Sequence, residues 1–173
     1  MKEADIISEI VAHILNTTDI QENQIGIISA YKSQVRLIKK ELKGIVTAEK
    51  VDELVASLDS FQGQERDIIL YSFTRSSKRK PTQSRIGFLS ELRRLNVAMS
   101  RCKKLLIMVG DYEYLLHCKK SDAEHVIYAK DGKRVINGSE AVFSQFIETM
   151  CNSVKSGKGE MIDASTFVKR IKE

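Results

Sequence analysis

Residues 25–38 read IGIISAYKSQVRLI, and a change of rhythm inside this stretch decides the fold. The first five residues form a short apolar run with β-branched side chains and polar flanks, which suits a buried parallel strand. Beyond them Val35, Ile38 and Leu42 fall at helical spacing and predict a helix that stops near Gly44. The neighbouring stretches repeat this unit. Ile7, Ile10, Val11 and Ile14 predict an amphipathic helix over 3–16. LVASL (54–58) and IILYSF (68–73) predict two more strands, and a helix over 90–100 leads into a strand over 104–109. Strands alternating with helices imply an α/β layer fold with a mainly parallel sheet. Ligands of such sheets collect beyond the carboxyl ends of the strands. The polar segments after IGIIS, LVASL and IILYSF are therefore the expected site.

The rest of the chain has a different character. SSKRKPTQS (76–84) holds the only proline and no apolar residue, so it reads as an exposed loop. VIYAKDGKRVI places Asp131-Gly132 between two β-prone runs, a hairpin signal. Residues 139–154 put Val142, Phe143, Phe146, Ile147 and Met150 on one helical face. SGKGE then breaks the chain before a short helix over 164–172.

A chain of 173 residues with 42% hydrophobic content is about one domain. Nothing approaches eighteen consecutive apolar residues, and MKEADIISEI alternates charge with apolarity, so neither a membrane span nor a signal peptide is expected. Three widely spaced cysteines suit a reducing, intracellular setting. Cys102, His117, Cys118 and His125 could be imagined around zinc, but no CxxC pair supports them and no metal site is expected. Charge is concentrated. Residues 75–104 carry ten basic side chains against Glu91 alone, a local +9 in a chain whose total is +5. Such asymmetry points to a polyanion, either nucleic acid or nucleotide phosphates.

Two stretches carry chemistry. In SLDSFQGQERD (57–67), Gly63 allows either a tight turn or close approach of backbone to a ligand. Ser60 and Gln62 can donate to phosphate or sugar oxygens, and Glu65 can accept from ribose hydroxyls. In RRLNVAMSRCKK (93–104), three arginines surround Leu95, Val97, Ala98 and Met99. Arg101 stands just before the apolar run LLIMVG, where an arginine is held in place.

Taken in order, IGIISAYKSQVRLI, SLDSFQGQERDIIL and GFLSELRRLNVAMSRCKKLLIMVGD resemble motifs IV, V and VI of superfamily 1B helicases, the Upf-like, Senataxin-like and Dna-two-like branch. The resemblance covers residues 3–111. It implies a RecA-like three-layer sandwich over 1–111. The tail over 112–173 matches no part of that family, and from its own patterning it is expected to be a C-terminal extension (hairpin plus two helices) packed on the same domain. The resemblance further implies the second of two RecA-like motor domains, with ATP and Mg²⁺ in the cleft between them and single-stranded DNA or RNA across both. Arg101 matches the arginine finger of motif VI, and Arg94 its second arginine. Gly63, Glu65 and Gln62 match positions facing the phosphates and ribose, while Tyr31 matches a base-stacking aromatic with Gln34 beside it. Ser60 and Ser29 fall on the nucleic-acid side, and Asn96 would help fix the motif VI helix. Two positions depart from the pattern: Ala30 stands where many relatives have proline, and Val35 where some carry a second finger, with Arg36 one residue on.

No GxxxxGK[ST] loop occurs in the chain, and VDEL (51–54) leads into motif V instead of following a phosphate-loop strand. Walker A and B elements and the Mg²⁺ ligands are thus expected on a first RecA-like domain, and this segment alone is not expected to turn over ATP. The rival expectation is a non-catalytic RecA-like module that binds nucleic acid or protein.

Overall fold

The computed structural model describes residues 2–61, 63–74, 96, 100–111, 114–115, 126–128, 134–136 and 149–172. They belong to two compact units. The first comprises Met1–Thr74, Arg93–Gly110 and Ile162–Glu173, and the second Arg75–Leu92 and Asp111–Met161.

In the first unit, α1 (Glu3–Thr17) starts where the Asp5 carboxylate accepts the Lys2 N–H at 3.0 Å. Glu3 and Asp5 also place negative charge on the first turn, where the helix dipole favours it. Strand β1 (Ile25–Ser29) is buried at every position, as its apolar run predicts. Helix α2 (Lys32–Glu41) follows after two residues and carries Lys39 and Lys40 on its last turn. Helix α3 (Ala48–Leu54) then runs directly into strand β2 (Val55–Ser57). Leu54, expected to open a strand, is instead the last residue of this helix. Strands β3 (Arg66–Ser72) and β4 (Cys102–Val109) both begin two residues earlier than their apolar runs suggest.

The four strands form one all-parallel sheet in the order β2-β1-β3-β4. Alternation divides it into two faces. Ile25 and Ile27 of β1, with their partners Ile68 and Leu70 of β3, join Ile7, Val11 and Ile14 of α1, Ile38 of α2 and Leu54 of α3 in one apolar cluster. Helix α4 (Ala164–Lys172), anticipated at the same bounds, adds Phe167, which packs against this cluster and meets His13 of α1 edge-on at 6.3 Å.

The other face carries Gly26, Ile28, Ile69 and Tyr71, and Phe61 from the β2–β3 connection comes to rest on it. Because β2 and β3 flank β1, that connection must cross β1, and no helix occurs in it among the described residues. Gly26 makes the crossing possible. A Cβ there would stand 2.6 Å from Phe61 Cζ, 2.8 Å from Ile69 Cδ1 and 3.0 Å from Arg66 Cγ. Gly26→Ala is therefore expected to cost about 1–3 kcal/mol through overpacking, read as a lower urea midpoint at unchanged slope.

In the second unit, β5 (Val126–Tyr128) pairs antiparallel with β6 (Arg134–Ile136), the hairpin anticipated around Asp131-Gly132, whose turn lies outside the described residues. Residues 149–155 are helical, the described part of the helix expected over 139–154. No helix among the described residues is long and apolar enough to cross a membrane.

Candidate functional site

The β2–β3 connection determines where each candidate residue falls. It leaves the carboxyl end of β2, where the Leu58 N–H donates to the Ser29 carbonyl at 3.3 Å. It ends at Arg66, which opens β3 at the amino edge of the sheet and pairs there with Cys102. The candidates thus divide between two edges, and the expectation that all lie beyond the carboxyl ends needs correction. The physical reason is the crossing. A segment joining two parallel strands must return along the sheet, carrying Gly63 and Glu65 with it.

At the carboxyl edge the polar side chains bind one another. Gln34 is buried, and its Nε2 donates to Ser72 Oγ at 3.1 Å. Ser72 Oγ donates in turn to the Glu3 carboxylate, which also accepts the Thr74 N–H at 2.9 Å. Ser29, wholly buried, shares a 2.9 Å hydrogen bond with Thr74 Oγ1, and its hydroxyl receives the Tyr31 N–H at 3.4 Å. Thr74 has φ +61, a left-handed conformation that a β-branched residue adopts at a cost of about 1–3 kcal/mol. The Glu3, Ser29 and Ser72 contacts hold it there. Tyr31 caps α2 and is half-buried. Burial raises the Tyr71 phenol above its usual pKa, and the nearby Tyr31 and Glu3 oxygens add to the shift. Ser29 and Gln34 are therefore engaged within the domain, whereas Ser60 is exposed with its hydroxyl 2.7 Å from Ser57 Oγ.

On the segment that returns to the amino edge, Gly63 is exposed at φ +82, with open space where a side chain would stand. Glu65 is exposed and pairs with Lys103 at 3.4 Å. Arg101 precedes β4, and its carbonyl accepts the Arg66 N–H at 3.0 Å. Its Nε is buried and, like Arg66 Nε, finds no hydrogen-bond partner among the described residues. The β3–β4 register slips here: Arg66 faces Cys102 but Ile68 faces Leu105, so β4 carries one extra residue. Such a bulge re-aims side chains. Consecutive lysines consequently reach acids two positions apart, Lys103 pairing with Glu65 and Lys104 with Asp67 at 2.8 Å. The Lys104 hydrogen bond, aided by Gln24 Nε2 at 2.7 Å, holds the Asp67 carboxyl below the usual carboxylate range. That pairing stabilises the fold above the unfolded-state pKa of the acid and is lost as pH falls through the lowered one.

A groove of about 520 Å³ runs along the β2 edge between α2 and the crossing. Val35 and Arg36 line it from α2, Ser57 from the end of β2, Ser60 and Gln64 from the crossing, and Arg66 from the start of β3. Arg94 and Gln62 lie outside the described residues, as do His117, Cys118 and His125. Asn96 is helical and exposed, with its carbonyl accepting the Ser100 N–H at 2.9 Å. Cys102 donates to the Asp67 carbonyl at 3.8 Å, and no group of three metal-ligating side chains occurs among the described residues. Sequence reasoning passed over Arg66 and the Lys103–Lys104 bulge. Only the glycine inside an apolar strand hinted that something lies against β1.

A parallel sheet with α1 to α3 on one face, the β2–β3 crossing on the other and loop residues gathered at its edges is a RecA-like α/β domain. A family profile described as an AAA domain matches residues 1–113. DNA polymerase alpha-associated DNA helicase A of Saccharomyces cerevisiae is 38% identical over 104 residues, covering 60% of this chain and 14% of that protein. The regulator of nonsense transcripts 1 homolog of Drosophila melanogaster is 36% identical over 141 residues, 79% of this chain and 11% of that protein. The Schizosaccharomyces pombe DNA replication ATP-dependent helicase/nuclease dna2 is 40% identical over 114 residues, 65% of this chain and 7% of that protein. The chain belongs to this AAA domain family, in its superfamily 1B helicase branch. It spans no more than about a seventh of the length of these curated relatives.

Proposed function

We propose that this chain acts as the second RecA-like motor domain of an ATP-dependent helicase working on single-stranded DNA or RNA. A first RecA-like domain supplies the phosphate-binding loop and the Mg²⁺ ligands. Arg101 is the finger that stabilises charge developing on the transferred phosphoryl group. Gly63 and Glu65 face the phosphates and ribose from the same edge, with Gln62 and Arg94 assigned to that side by their motif positions. Tyr31 contacts the base, and Ser60 the nucleic-acid strand.

The observation that carries this reading is the hydrogen bond from the Arg66 N–H to the Arg101 carbonyl. This 3.0 Å bond sets Arg101 beside the segment bearing Gly63 and Glu65. Arg101 Nε, like Arg66 Nε, is buried without a partner among the described residues, which leaves a donor at this edge for an anionic ligand. The open approach to Gly63 fits contact between backbone and phosphate. The relatives named as ATP-dependent helicases support the helicase class of this reading.

The test compares this chain alone with the chain joined to a RecA-like domain that bears a phosphate-binding loop. The chain alone is expected to give no measurable ATP turnover and only weak binding to a single strand, falling steeply with salt. The joined protein is expected to hydrolyse ATP in response to a single strand. Robust turnover by the chain alone, or none by the joined protein, contradicts the reading.

A further inference from the structure

The Arg66 side chain has no role in that assignment, yet it touches the crossing at several points. Its Nη1 donates to the Glu65 carbonyl at 2.9 Å, and its Nη2 donates to Gln64 Oε1 at 3.0 Å. The guanidinium carbon stands 5.7 Å from the centroid of the Phe61 ring, a cation–π distance. Its Cγ lies over Gly26, 3.0 Å from where a Cβ would be. One side chain thus touches positions 61, 64 and 65 of the crossing and the strand beneath it. The Arg66 backbone performs a separate task by donating to the Arg101 carbonyl at 3.0 Å.

We infer that Arg66 is a positioning residue for nucleotide binding: its planar fork fixes the 61–65 segment so that Gly63 and Glu65 hold their orientation. The inference rests on the assignment of these two residues to the nucleotide. A guanidinium donates from two nitrogens held in one planar fork, a geometry that the single ammonium of lysine reproduces only in part. Removing the side chain frees the segment but leaves the backbone bond to Arg101 intact. Ground-state nucleotide binding should therefore suffer while the finger keeps its place.

In the joined protein, Arg66→Ala is expected to raise the KM for ATP roughly tenfold, with kcat changed less than about twofold. A fluorescent ADP analogue should lose about the same factor in affinity, and Arg66→Lys should recover only part of it. In the chain alone, Arg66→Ala should speed hydrogen exchange of the amides between 61 and 66 by about tenfold. The amides of β1 should keep their protection. A purely structural role would lower stability and exchange protection everywhere while leaving the KM of the folded fraction unchanged.

Unchanged KM and analogue affinity, or unaltered exchange over 61–66, overturns the inference. If Arg66→Ala does not fold, Arg66→Lys and Gln64→Leu carry the same test, and an unchanged KM in both overturns it equally. Arg101→Ala serves as the reference arm. Hydrolysis surviving in that variant defeats the nucleotide reading itself, whereas its loss together with a normal KM in the Arg66 variants defeats only the positioning role.

Discussion

Arg101→Ala is expected to lower ATP turnover of the joined two-domain protein by roughly 10³- to 10⁵-fold, the range typical of an arginine finger in phosphoryl transfer. Single-strand affinity at fixed salt should change by less than about twofold, since one partly buried cation contributes little to a backbone track built from many contacts. The geometry supports so large an effect. Arg101 sits at the turn into β4, and its carbonyl is tied to the first residue of β3. The side chain therefore leaves from a fixed point and needs little reorganisation to meet developing charge. Arg101→Lys should rescue poorly, because an ammonium cannot reproduce the planar fork. The measurement is steady-state hydrolysis with saturating single strand, beside thermal unfolding to confirm that the variant folds. Turnover within about tenfold of the parent would remove Arg101 from the finger role.

Sequence patterning revealed most of the helical face and less of the opposite one. IGIIS became a strand buried at all five positions because β-branched runs of that length have few alternatives inside a domain. The last helix fell at 164–172 because its break and its apolar spacing agree. Helix α3 was missed because its seven residues offer only Val51 and Leu54 to the core, too few to display a period. Leu54 and Val55 continue one apolar run in sequence, although one closes a helix and the other opens a strand. The path of the β2–β3 connection was illegible for a comparable reason. The carboxyl-end rule locates loops that start there, but nothing local says that 58–65 travels back across β1. That path depends on Phe61 meeting Gly26, a contact between residues 35 positions apart. The Lys103–Lys104 bulge likewise exists only in the pairing of two strands.

Phe61→Ala should have the largest effect on stability, about 3–5 kcal/mol, because its ring is wholly buried and covers a face with no helix over β1 among the described residues. Against the roughly 5–15 kcal/mol that holds a domain folded, this is a severe loss. The damage also has a direction. The ring is the floor under the Arg66 guanidinium and the anchor for the crossing, so its removal leaves a void above Gly26 and frees the segment that bears Gly63 and Glu65. A double-mutant cycle isolates this contact. In the parent, a methyl added at Gly26 strikes the ring; in the Phe61→Ala background the same methyl enters the void. Gly26→Ala should therefore cost clearly less in that background, with a coupling of about 0.5–3 kcal/mol. Urea titrations of the four proteins measure it directly. Additive costs, or a Phe61→Ala penalty below about 1 kcal/mol, would mean that the crossing is held by something other than the ring on the glycine. The orientation of Glu65 and the Arg66 clamp would then need a different foundation.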